Sequence, residues 1–191
     1  MLPKILSLLF VAGALAAPVL DPEGSSPWQR PFMASERQPT TAVIHDTYWG
    51  GPSNSCNPSQ LRVYKSTSSG GHDLTTMLTF KYPSGQYCWL EFYGPAISSG
   101  GRQVDVYTQW AYVDKCPSSG NNRDRNIGRL EIPAGGGKAK WIATYGNYLI
   151  GPGSPCPTSG KIEGIELVGV GDNEDIKWTQ GSGKGVRVIY N

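Results

Sequence analysis

The sequence predicts an all-β protein: an antiparallel two-sheet β-sandwich of about ten strands with disulfides, set behind a signal peptide and a flexible N-terminal tail. Three observations predict it. Strand-like runs recur about every ten to fifteen residues, with turn signals between them. Turn formers are abundant (Gly 25 and Pro 15 in 191 residues), while only 17% of residues are charged. No run carries the helical period. Each antiparallel sheet must bury one face, and two facing sheets do this most economically; a closed barrel is the alternative.

The chain opens with Lys4 ahead of an apolar run over residues 5–11, followed by Ala14, Leu15 and Ala16. A cationic start, a short apolar core and a small-x-small site make a secretory signal peptide, assigned to residues 1–17. The run is shorter than the ~20 residues a membrane span needs. The expectation is therefore a secreted, extracellular protein. Residues 18–40 hold Pro18, Pro22, Pro27, Pro31 and Pro39 without periodicity, as in a flexible tail or propeptide. Trp28 and Phe32 in this tail are read as leaning on the domain rather than as a docking motif.

Residues 41–191 form the predicted domain. Strands are expected at 41–44, 60–65, 76–82, 87–93, 104–113, 128–132, 139–145, 162–170, 176–178 and 186–190. In 87–93, alternation sends Cys88, Leu90 and Phe92 inward and Tyr87, Trp89, Glu91 and Tyr93 outward. Net charge is +2, or about +1 once Lys4 leaves with the leader. So balanced a chain has no footprint for nucleic acid, and no basic amphipathic helix suggests a membrane surface.

The cysteines are Cys56, Cys88, Cys116 and Cys156. An even number behind a leader implies two disulfides, and three pairings are open. No C-x-x-C pair occurs, so zinc is not expected, and no cofactor is implied. Among polar residues, His45-Asp46 and His72-Asp73 suggest an acid–base or metal site only if two loops converge. Ordinary loop positions are the simpler reading, because neighbours on an extended chain point opposite ways. Glu91 and Asp105 are the best carboxylate pair for glycoside hydrolysis, which needs two acids across a cleft. The acidic run from Gly171 to Asp175 has oxygen ligands for calcium but also reads as a hairpin turn. The aromatics are the most useful feature, with Trp 6 and Tyr 10. Trp49, Tyr107, Tyr148 and Trp178 are the candidate platforms on which sugar faces would stack. Core or edge cover is the commoner role for any one ring.

Residues 77–83 (MLTFKYP) and 88–95 (CWLEFYGP) follow a phenylalanine-proline, then cysteine-x-leucine-x-phenylalanine pattern. Further pieces come in order: VDVY at 104–107, GNNRD at 120–124, GRL at 128–130, Cys156 with Gly160, ELVGVGD at 166–172, IKW at 176–178, and 185–190. Over residues 58–191 the chain resembles a fungal family of secreted proteins named for the C-terminal domain of a ubiquitin-three-binding protein. The resemblance implies a fungal, extracellular β-sandwich and no catalytic residues. The family's name points to an intracellular partner that an exported protein would not meet. Sequence alone thus favours a non-catalytic module binding cell-wall or plant polysaccharide. A secreted effector or protein-interaction domain, and a carbohydrate hydrolase or lyase using strand carboxylates, are the alternatives.

Overall fold

The computed structural model describes residues 34–47, 55–68, 70–97, 100–111, 122–181 and 183–191. The predicted leader, most of the tail with Trp28 and Phe32, Trp49 and Cys116 lie outside the described residues.

The described residues contain strands and no helix. In chain order the strands are β1 (Ser35–Arg37), β2 (Thr41–Asp46), β3 (Ser55–Cys56), β4 (Leu61–Ser66), β5 (Leu74–Lys81), β6 (Cys88–Gly94), β7 (Gln103–Gln109), β8 (Arg123–Glu131), β9 (Gly137–Lys138), β10 (Lys140–Thr144), β11 (Ile162–Gly169), β12 (Asn173–Trp178) and β13 (Gly185–Tyr190). A four-stranded sheet runs β1-β13-β6-β9, and a nine-stranded sheet runs β10-β8-β7-β11-β5-β2-β3 with β4 and β12 attached through β5. All pairings between these strands are antiparallel. The two sheets form the predicted sandwich.

The period-2 pattern decides which face each strand buries. In β6, Cys88, Leu90 and Phe92 are buried while Trp89, Glu91 and Tyr93 are not, as alternation requires. Val104 and Val106 of β7, Ile165 and Leu167 of β11, and Val186 and Val188 of β13 join them in one core. Each fully buried aliphatic contributes about 1.5–3 kcal/mol.

Three strands escape the sequence pattern. β1 falls in the segment read as tail, yet it pairs with β13 from Ser35↔Tyr190 to Arg37↔Val188. Its residues alternate no apolar face; it is held by backbone pairing and by Glu36, whose Oε2 accepts from Arg187 Nη1 at 3.0 Å. The ordered domain therefore begins before residue 41. β3 and β9 have two residues each, too few to show a period. In the opposite direction, the predicted 171–175 loop is partly strand, because β12 extends back to Asn173 and pairs with β4.

A disulfide joins Cys88 to Cys156, which resolves one of the open pairings. Cys56 is also disulfide-bonded. No helix is long and apolar enough to cross a membrane among the described residues.

Candidate ligand-binding groove

One stretch of chain serves as the rim of both sheets. β9 closes the four-stranded sheet by pairing Tyr93↔Lys138 and Gly94↔Gly137. One residue later the chain has changed layers, and β10 begins the edge of the nine-stranded sheet with Lys140↔Glu131. Ala139 is the crossing point; its N–H donates to the Phe92 carbonyl at 2.8 Å. Further along the same edge of β6, a second segment arrives. Leu90 N–H donates to the Leu149 carbonyl at 2.8 Å, and Cys88 N–H to the Ser154 carbonyl at 2.9 Å.

The gap between the departing and the arriving segments is a groove of about 480 Å³, within the range of roughly 300–1,000 Å³ that ligand clefts occupy. Trp89, Leu90 and Glu91 form its floor, Lys138 to Trp141 one wall, and Ile150, Gly151 and Pro152 the other.

Each wall is fixed. Trp141 packs against the core, and its ring lies over Gly128, where a Cβ would stand 2.9 Å from Cε3 and Cζ3. Only a bare backbone lets the indole lie so close. The opposite wall is pinned on both sides of its turn. Tyr148 donates a short hydrogen bond to Glu163 Oε2, which also accepts from Tyr82 Oη at 2.9 Å. Leu149 adopts φ 58° and is fully buried; core packing holds a left-handed backbone that leucine rarely adopts. Ser154 Oγ accepts from the Ile150 and Gly151 amides at 3.1 and 3.2 Å. The bridge to Cys88 then fastens Cys156 beside the floor. Leu149→Ala is accordingly expected to destabilise the domain by about 2–3 kcal/mol, read as a lower midpoint in urea.

Glu91 is the groove's acid. Burial alone would raise its pKa, but hydrogen bonds from Lys138, Trp89 and Arg187 outweigh this and hold the carboxyl below its usual range. Trp89 Nε1 donates to Oε1 at 3.1 Å, Lys138 Nζ donates to the same oxygen, and Arg187 Nη2 donates to Oε2 at 3.1 Å. Such a carboxylate is a fixed ionised acceptor, poorly suited to delivering a proton.

Asp105, its proposed hydrolytic partner, is not near it. The two residues alternate with inward core residues of different sheets, so they lie on opposite outer faces of the sandwich. Asp105 is bound bidentately by Arg129, at 2.7 and 3.1 Å. The predicted pairing of these acids is thus corrected: adjacency in strand order did not mean adjacency in one sheet.

Nor do the predicted ring platforms among the described residues, Tyr107, Tyr148 and Trp178, line one site. Trp178 is 4% exposed, within the core, and packs on Phe92 with centroids 4.9 Å apart. It shares the buried face of β12 with Glu174 and Ile176, so it is a core ring that also lines an open cleft beside Tyr93, and not the flat surface platform expected. Tyr107 stands on the outer face of β7 with the Arg123 guanidinium 5.4 Å from its ring centroid. Tyr148 carries Arg125 at 4.9 Å, and its hydroxyl is committed to Glu163. Burial and the neighbouring Glu163 carboxylate push the Tyr148 and Tyr82 phenols upward, keeping both protonated. Each of these faces already has a cation on it or a core around it.

The two histidine–aspartate pairs do converge in part. His72 Nδ1 and Asp46 Oδ2 are 2.9 Å apart, while His45 is buried beside them in sequence. No group of three or more His, Cys, Asp or Glu that could hold a metal ion occurs among the described residues. In the acidic 171–175 run, Asp175 is engaged by Arg62 at 2.7 Å and Lys177 at 3.0 Å, and Glu174 turns inward.

No family model matches this chain, and no curated protein matches its sequence. The groove therefore stands on its geometry. Trp89 was legible as outward-facing in its strand, and Trp141 lay within a predicted strand. Their meeting was not, because it depends on the layer change at Ala139.

Proposed function

We propose that this protein is a secreted, non-catalytic binding module for cell-wall or plant polysaccharide, of the fungal family its motifs resemble, and that the groove between Trp89 and Trp141 takes the glycan. The observation that carries this reading is that two indoles, Trp89 and Trp141, and a fixed acceptor, Glu91, line one cleft. Flat indole faces suit the apolar faces of sugar rings. An ionised carboxylate held by three donors can accept hydroxyl hydrogens without moving. The leader-like N-terminus and the disulfides support export. Hydrolysis is disfavoured because the described lining holds one carboxylate, and two are needed.

Retention on insoluble glucan, chitin and pectin, followed by affinity electrophoresis with the soluble forms, tests it. Trp141→Ala and Trp89→Ala are each expected to weaken binding about tenfold, since stacking on one aromatic ring is worth roughly 1–3 kcal/mol in nucleic-acid systems. Retention on none of these polymers, or full affinity in the double variant, would remove the proposal.

A further inference from the structure

A second cleft lies at the other end of β6. The outer face of that strand carries Trp89, Glu91 and Tyr93 in line, a run of about 13 Å at 3.3 Å per residue. The part of that face from Trp89 to Glu91 lies on the floor of the groove just described. Beyond Tyr93 is an open cleft of about 590 Å³, lined by Tyr93, Gln60, Lys177 and Lys184 among others. Tyr93 is 45% exposed, so its ring is available there. At the Glu91 end of the groove floor, β13 presents Arg187 directly opposite.

The charges along this path do not balance. Lys138 is matched by Glu91, Arg187 by Glu91 and Glu36, and Lys177 by Asp175. Lys140, on the wall of the first groove, and Lys184, on the wall of the second, are exposed and form no ion pair among the described residues. Each end of the path thus combines an aromatic ring with an uncompensated ammonium.

We infer that the ligand is a linear acidic polysaccharide bearing uronate carboxylates, lying along β6 from the Trp89–Trp141 groove to the Tyr93 cleft, with Lys140 and Lys184 each meeting a carboxylate. This rests on the polysaccharide reading above and narrows it. A neutral glycan would use the rings but leave both ammonium groups in water. A single sugar could not span the about 13 Å from Trp89 to Tyr93.

The test compares polygalacturonate, its methyl-esterified form, a neutral β-glucan and dextran sulfate, using the whole chain and calorimetry or affinity electrophoresis. Polygalacturonate is expected to bind at least about tenfold tighter than its ester, and to weaken as salt screens the contacts. Lys140→Glu and Lys184→Glu are each expected to lose about tenfold on polygalacturonate while leaving the thermal midpoint unchanged. Equal affinity for acid and ester would overturn the acidic assignment while leaving the polysaccharide reading intact. Binding of digalacturonate as tight as that of the polymer, or sensitivity at only one lysine, would overturn the two-ended path. Dextran sulfate binding with equal affinity and the same lysine dependence would mean generic charge attraction and would also overturn it. Binding to none of the four would take both proposals down together.

Discussion

Replacing both Cys88 and Cys156 with alanine is expected to cost about 4 kcal/mol of stability, from the loop entropy released to the unfolded chain. The bridge spans a sequence separation of 68 residues, long enough for that term to be large. Alanine is the right replacement because Cys88 is fully buried, and a serine hydroxyl there would add a desolvation cost of its own. A second consequence is local. The Ile150–Pro152 wall hangs between Tyr148 and the bridge, so the variant is expected to bind the proposed glycan less tightly even at temperatures where it is fully folded. Urea unfolding would measure the first effect, and affinity electrophoresis well below the midpoint the second. A stability loss under about 1 kcal/mol would show that the hydrogen bonds of Gln86, Cys88 and Leu90 with the arriving segment hold the wall without the bridge.

Stability is also expected to fall by about 3 kcal/mol between pH 4.5 and pH 7 through one buried carboxyl. Glu174 is 1% exposed, and no side chain donates a hydrogen bond to either of its carboxylate oxygens. It fills a slot lined by glycine: a Cβ at Gly101 would stand 2.5 Å from its Oε1, and one at Gly169 2.3 Å from its Oε2. Burial raises its pKa from 4.5 to about 7; the Val170 and Gln103 backbone and the Lys65 ammonium offset part of this, and Asp105 adds to it. Because the folded pKa lies above the unfolded one, the native chain holds the proton more tightly. Stability is greatest below pH 4.5, declines as pH rises toward 7, and is flat above it as far as this group is concerned. Glu174→Gln is expected to remove that slope and to make the protein more stable than wild type at pH 8. An unchanged pH profile in that variant would assign the dependence elsewhere. Gly169→Ala is expected to destabilise at every pH, since the new methyl group and the carboxyl cannot share the slot.

The sheets were legible where side chains alternate. β6 displays its two faces in seven residues, and β5, β7, β11 and β13 each carry enough buried aliphatics to mark a strand. β1, β3 and β9 were not legible, because backbone pairing at a sheet edge leaves no trace in side-chain polarity. The candidate site was half legible for a related reason. Alternation puts Trp89 and Glu91 outward, but nothing local says that the chain changes layers at Ala139 and brings Trp141 beside them. Tyr107 and Tyr148 show the converse. Each ring reads as a platform until Arg123 or Arg125, placed by the register of β8, is found resting on it.

The layer change at Ala139 has a mechanical meaning. A polymer held against Lys138 and Trp141 pulls on a strip that is hydrogen-bonded into both layers, so tension is divided between two ladders instead of unzipping one. Under load, the grip on the ligand is therefore expected to slip before the rim peels from the body.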